Sequence, residues 1–325
     1  MPEKRNLMHG LVLLGGVFLV ASASIMIRQA QQLGVPSPAI AAGRLGCAAL
    51  ILAPIVLVRA RTELHGLRRR DVLLGIGSGT CLALHFSAWI KSLEYTSVAS
   101  SSALVATNPL WIALASLLLF RQRPSAPTWL GVLITIGGSV LIAVSDSDGA
   151  GGSHALLGDG LALLGALAGS GYFLVGSRLQ RRLSTLAYIW LVYSSAAIIL
   201  TLVALGAGAL RFDQAGPGYP LAAYLLLLGL ALGPQLLGHT AFNWSLRHLS
   251  ATFVAIATLG EPIGAALLAL VIFKQGFQPI QLLGFVVLLT GIAVAARGER
   301  GLSVDTPDQA DVAVEASVRE LPSTR

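Results

Sequence analysis

Residues 93–143 read LEYTSVASSSALVATNPLWIALASLLLFRQRPSAPTWLGVLITIGGSVLIA, and the chain contains this stretch twice. Slid forward by 153 residues, it falls without a gap on 246–296, LRHLSATFVAIATLGEPIGAALLALVIFKQGFQPIQLLGFVVLLTGIAVAA. Among the coincidences, Leu93/Leu246, Ala113/Ala266 and Leu117/Leu270 carry little weight, because Leu and Ala coincide by chance in any apolar chain. Pro109/Pro262, Phe120/Phe273 with Gln122/Gln275, Gly131/Gly284 and Gly138/Gly291 carry more. Each copy is an apolar run with a proline at its middle, a short basic or polar break, and a second apolar run. At an offset of 150, Gly10/Gly160, Gly15/Gly165, Arg28/Arg178 and Leu33/Leu183 also coincide, which extends the duplication towards the N-terminus.

Composition names the solvent. The 325 residues are 55% hydrophobic and 11% charged, with a mean hydropathy of +0.76. A soluble domain carries about 25% charged residues. A chain this apolar cannot cover itself with a water-compatible surface, so the bilayer is its expected solvent. The net charge of +7 does not point to nucleic acid, because Lys and Arg sit in the breaks between apolar runs. Cys47 and Cys81 both lie inside apolar runs, so neither a disulfide framework nor a metal site is indicated.

Outward from the repeat, apolar runs cover about 10–27, 38–58, 72–90, 98–120, 128–145, 156–177, 185–210, 221–246, 251–273 and 280–296. Most have the roughly 17–25 residues that a spanning helix needs. Ala21-Ser22-Ala23 imitates a signal-peptidase site, but cleavage there would remove one member of a matched pair, so the first run is retained. Counted by alternate breaks, one side holds fifteen Lys and Arg, from Lys4 and Arg5 to Arg297 and Arg300. The other holds four: Arg28, Lys91, Arg211 and Lys274. The positive-inside rule then makes both termini cytoplasmic. The expected fold is an all-α integral membrane protein with ten transmembrane helices. Five is odd, so the second copy enters from the opposite face, giving two inverted five-helix repeats. The expected division is a lead at 1–9, a first repeat at 10–145, an extracytoplasmic linker at 146–157, a second repeat at 158–297 and a disordered cytoplasmic tail at 298–325.

The segment Ser92-Leu93-Glu94-Tyr95-Thr96-Ser97-Val98-Ala99, continuing through Asn108-Pro109 to Gly131 and Gly138, resembles the EamA-type repeat of the drug/metabolite transporter superfamily. Leu259-Gly260-Glu261-Pro262 and Leu283-Gly284 to Gly291 resemble it again. The likeness runs from Gly10 to Arg297. It implies ten helices, cytoplasmic termini and export of a small metabolite or drug across the cytoplasmic membrane. One departure stands out. Where the family often ends its fourth and ninth helices with Leu-Gly-Glu, this chain reads Phe120-Arg121-Gln122 and Phe273-Lys274-Gln275.

Ionisable groups deep in a span are functional candidates by default. Glu261 is read either as a proton-titrating or cation-binding group or as a structural partner of a buried Arg or of backbone amides near Pro262. Arg44 is read as structural, or as a partner for a substrate carboxylate. Pro109 and Pro262 leave the carbonyls of Val105 and Thr258 without their helical donors. Paired breaks at matching places point to a transporter site, and Asn108 and Glu261 occupy equivalent positions beside them. His85 and Trp89 share a helix face, as do His239 and Asn243. Tyr172, Tyr188, Trp190, Tyr193, Trp111 and Trp244 are candidates to line a pocket for flat or aromatic substrates. Trp129, Tyr219 and Tyr224 at span ends are read as an interfacial belt, which is also the alternative reading of Tyr188.

The function expected is a secondary active exporter of small metabolites, amino-acid-like or aromatic and cationic, with Glu261 as the proton-coupling candidate. The alternative is an anion or nucleotide-sugar exchanger. No cofactor and no metal is expected, and the partners are a small-molecule substrate and the lipid bilayer, with the chain a monomer or homodimer. An intramembrane enzyme is disfavoured, since the spans carry no Gly-x-Ser-x-Gly elbow, no His-Glu-x-x-His and no Asp pair.

Overall fold

The computed structural model describes residues 2–120, 125–145, 154–210, 218–249, 251–274 and 278–300. Every regular element among them is helical. In chain order these are α1 (Pro2–Gln32), α2 (Ser37–Arg59), α3 (Arg61–His65), α4 (Arg69–Ser92), α5 (Val98–Val105), α6 (Asn108–Phe120) and α7 (Ala126–Ser145). They continue with α8 (Ala155–Leu179), α9 (Thr185–Gly206), α10 (Leu221–Leu230), a π-helical segment (Ala231–His239), α11 (Thr240–Leu246), α12 (Ala251–Thr258), α13 (Glu261–Phe273) and α14 (Pro279–Arg300). Eight helices are long and apolar enough to cross a membrane, and 126–142 and 279–295 form two shorter apolar ones. α14 runs to Arg300, past the boundary expected at Arg297; most of the expected linker and tail, and Arg121, Gln122 and Gln275, lie outside the described residues.

The packing differs from that of a soluble protein at its surface, which is apolar, while the mainly apolar interior also encloses polar groups. Leu14, Phe18, Leu50, Val58, Leu133 and Val271 are exposed, while Arg44, Gln235, Asn243 and Ser78 are fully buried. In lipid an apolar side chain gains nothing by turning inward, so the interior is free to hold polar groups that bond one another.

The helix contacts repeat as the sequence does. α4 packs on α8, and its counterpart, the α10–α11 segment, packs on α1. α4 touches α9, and the π segment touches α2. α6 lies against α8, and its counterpart α13 against α1. Two pairs, α2 with α9 and α7 with α14, join an element to its own counterpart. Exchanging the two halves therefore maps these pairings onto one another.

Where α7 meets α14, glycines set the distance. At Gly138 an added Cβ would lie 2.6 Å from the backbone nitrogen of Leu288 and 2.7 Å from the carbonyl oxygen of Gly284. Only a residue without Cβ lets the α7 and α14 backbones approach so closely.

Candidate functional site

The two prolines do more than remove one hydrogen bond each. α5 ends at Val105 and a new helix starts at Asn108, with Pro109 in its first turn; α12 ends at Thr258 and α13 starts at Glu261, with Pro262 in its first turn. Proline lacks an N–H and has a fixed φ, which suits a first turn and not a helix interior. The chain crosses each gap on tighter turns. The amides of Thr107 and Gly260 donate to the carbonyls of Leu104 (3.2 Å) and Ala257 (3.2 Å).

The matched neighbours then differ in chemistry. The Asn108 amide nitrogen, in the orientation that satisfies both ends of the side chain, donates to the Ala166 (2.6 Å) and Val105 (3.2 Å) carbonyls. The asparagine thus supplies the donor that Pro109 withholds from Val105. Glu261 is half-buried and, among the described residues, has no Lys, Arg or His nitrogen within 4.0 Å. One break is internally satisfied and the other presents a carboxylate.

Both breaks open onto one cavity. Val105, Asn108, Thr258 and Glu261 line it from the breaks, His85 and Trp89 from α4, and Gly169, Tyr172 and Phe173 from α8. Val20, His239 and Phe242 complete the wall. Its volume is about 30 Å³, room for one or two water molecules. The walls therefore leave little free space between the two breaks.

α8 is shaped to receive α4 here. His85 Nδ1 donates to the Gly165 carbonyl (2.8 Å), leaving Nε2 as the ring's acceptor. A Cβ on Gly169 would lie 2.9 Å from the same Nδ1, so a side chain there would displace the imidazole. Trp89 stacks on His85 with ring centroids 5.9 Å apart.

A hydrogen-bond chain leads from this wall into the interior. The Tyr172 hydroxyl donates to Asn243 Oδ1 (2.7 Å), and Asn243 Nδ2 donates to the Tyr193 hydroxyl (3.3 Å). Tyr193 donates to the backbone carbonyl of Gln235 (3.4 Å), whose side-chain Oε1 accepts from Arg44 Nε (2.8 Å). Arg44 lies with Cζ 4.2 Å above the Phe86 ring.

Of the residues singled out in the sequence, His85, Trp89, Asn108, Tyr172, His239 and Glu261 reach the cavity wall. Arg44, Tyr193 and Asn243 form the layer behind it, and Pro109 and Pro262 are buried beside wall residues. Trp190 is half-buried on α9 and takes no part in this wall. Tyr188 corrects the belt reading: it is fully buried, with its hydroxyl 2.9 Å from Ser78 Oγ. Gln235 and Phe86 were missed. Gln235 follows Pro234 and stands four residues before His239 in an apolar run, which was the available signal.

Both ends of the bundle are tied. At one, the Arg28 guanidinium donates to the carbonyls of Leu93 and Thr96, Thr96 Oγ1 donates to Asp159 (3.0 Å), and the Ser37 hydroxyl donates to Glu94 (2.6 Å). At the other, Glu63 accepts from the backbone N–H and the hydroxyl of Ser184, both at 2.6 Å. Ser37 and Ser184 begin α2 and α9, which are counterparts, and each meets a glutamate at its own end.

Among the described residues every regular element is helical and eight helices are long and apolar enough to span, as in a multi-pass membrane protein. Its family is equally definite. The EamA-like transporter family matches residues 8–144 and again 156–297. The chain belongs to that family, within the drug/metabolite transporter superfamily. It is 25% identical to the uncharacterised transporter YetK of Bacillus subtilis (strain 168) over 230 residues, 70% of this chain and 69% of that protein. It is 22% identical to an uncharacterised transporter of Synechocystis sp. over 67% of this chain and 65% of the relative. Over 76 residues, 23% of this chain and 68% of the relative, it is 32% identical to a protein of Escherichia fergusonii named as a probable 4-amino-4-deoxy-L-arabinose-phosphoundecaprenol flippase subunit, ArnE. A solved crystal structure shares the fold at a TM-score of 0.66 and 18% identity, over 91% of this chain and 99% of that one.

Proposed function

We propose that this chain is a secondary active exporter of small metabolites, amino-acid-like or aromatic and cationic, working by alternating access in the cell membrane. The observation that carries the reading is the convergence of two matched helix breaks on one small cavity. Interrupted helices at corresponding places are where transporters of this kind hold substrate and coupling ion. In this reading the two shorter apolar helices also cross, giving ten spans and five per repeat. The second repeat is then inverted with respect to the first, and both termini are cytoplasmic. The helix pairings that map onto one another when the halves are exchanged support a twofold relation between them. Two near-equivalent halves can trade conformations, opening the cavity to one side and then the other. The ties Ser37–Glu94 and Ser184–Glu63 suit the roles of outer and inner closures.

Glu261 is the proton-coupling group in this scheme, because it is the carboxylate on the cavity wall and, among the described residues, has no cation in contact. The test is reconstitution of the full chain into proteoliposomes with labelled amino acids and cationic drugs, with and without a pH gradient. Substrate accumulation driven by the gradient is expected. Exchange that requires counter-substrate and ignores pH overturns proton coupling and favours the anion-exchanger reading, for which the buried Arg44 is the specific support.

A further inference from the structure

The described interior contains a group of buried nitrogens with nothing to bond. Arg44 is completely buried, yet only its Nε has a partner; Nη1 and Nη2 have none. Gln235 Nε2, His239 Nδ1 and Trp89 Nε1 are likewise buried without partners. These atoms are neighbours. Phe86 packs under the Arg44 guanidinium at 4.2 Å and sets its ring 5.3 Å from that of His239 and 6.2 Å from that of Trp89. Four of the five are obligate donors, and the His239 nitrogen is a donor in one tautomer.

A buried donor without an acceptor is costly, and a buried charge without one more so. A purely structural arginine would be expected to have its fork filled by carbonyls or a carboxylate, as Arg28 has with the carbonyls of Leu93 and Thr96. At Arg44 the protein instead fixes the side chain by one edge, Nε on Gln235, and by one face, on Phe86. The edge with both terminal nitrogens is left free. A planar fork held this way matches a carboxylate, which accepts two parallel N–H bonds from it. Glu261 is near enough to interact electrostatically but does not reach contact.

We propose that Arg44 is the anion subsite of this transporter and that the cargo carries a carboxylate, which docks on Nη1 and Nη2. The proposal rests on the transporter reading and narrows it. Purely cationic cargo is disfavoured; anionic or zwitterionic cargo with a single carboxylate is favoured. Phe86 stands between the guanidinium and the cavity wall, so docking goes with a turn of that ring as the cavity expands. The aromatic wall of Trp89, Tyr172, Phe173 and Phe242 takes the rest of the molecule.

The test uses the full chain in nanodiscs and probes that share one shape: 3-phenylpropionate, L-phenylalanine, 3-phenylpropionamide and phenethylamine, with sodium sulfate as an inorganic anion. Thermal unfolding is measured against probe concentration for wild type, R44Q and R44K. The two carboxylates are expected to raise Tm, and the amide, the amine and sulfate are not. R44Q, compared with its own probe-free melting temperature, should lose the carboxylate effect. R44K keeps the charge without the fork and should bind the carboxylates at least tenfold more weakly. Should R44Q not fold, R44K decides alone, and unchanged affinity in it overturns the subsite. Absence of any carboxylate-dependent shift in wild type overturns it too, as does an equal shift from sulfate. Stabilisation by phenethylamine alone rejects the subsite while leaving a cation transporter standing.

Discussion

Gly137 and Gly138 are adjacent on α7 and face different surroundings, which makes them a matched pair for testing how the halves are joined. A Cβ on Gly137 meets nothing within 4 Å, whereas one on Gly138 lies 2.6 Å from Leu288 N, 2.7 Å from Gly284 O and 2.9 Å from Leu288 Cα. Ordinary contact begins at 3.4 Å, so the shortfall at Gly138 is about 0.8 Å, and the obstacles are backbone atoms that cannot rotate away. α7 and α14 must part by about that distance, and a gap of roughly 0.5–1 Å forfeits a quarter to a half of each contact's attraction. Overpacking costs about 1–3 kcal/mol, and backbone against backbone places Gly138→Ala near the upper end. Gly137→Ala should instead gain about 0.5–1 kcal/mol, from replacing glycine in a helix interior. Thermal unfolding in one detergent should separate the neighbours by roughly 5 °C. Gly291→Ala, whose Cβ would lie 2.5 Å from Thr135 N and 2.7 Å from Gly131 O, should behave like Gly138→Ala. Equal melting temperatures for Gly137→Ala and Gly138→Ala would show that α7 and α14 do not meet at this spacing.

Three further outcomes are expected. Tyr172→Phe removes the donor to buried Asn243 Oδ1, and leaving that acceptor unsatisfied should cost about 1–3 kcal/mol; a variant as stable as wild type refutes the bond. Glu63→Ala removes a carboxylate that accepts two hydrogen bonds at the start of α9, so hydrogen exchange over 184–187 should speed up while exchange at the Glu94 end is unchanged. Cysteines placed within 146–157 should react with impermeant thiol reagents from outside the cell and cysteines near Arg69 should not; labelling of both from one side contradicts inverted repeats.

Periodic and punctuating residues were legible in the sequence. The offset of 153 paired Pro109 with Pro262 and Gly138 with Gly291, and both pairs act at corresponding places in the fold, as helix breaks and as close-packing sites. His85, Trp89, His239 and Glu261 were readable because polar or ring residues inside apolar runs have few reasons to be there. What escaped was three-dimensional. Phe86 looks like any other apolar residue in its run, and only the packing reveals that it carries the Arg44 guanidinium. Tyr188 sits near a span end and resembled a belt residue, because sequence position reports depth and not which side of the helix meets lipid. The extent of the breaks escaped as well, since a proline signals one lost hydrogen bond and does not say whether the helix restarts.

The central claim is that the matched breaks hold the transport site, with Glu261 as its coupling group. The most direct measurement compares wild type and Glu261→Gln in the same proteoliposomes, once by counterflow of labelled substrate and once by accumulation against a pH gradient. Glutamine keeps the shape and the hydrogen-bonding reach of the side chain while fixing it neutral. The account predicts that counterflow survives within a few-fold and that pH-driven accumulation is lost. A Glu261→Gln protein that still concentrates substrate with the wild-type dependence on pH would contradict it.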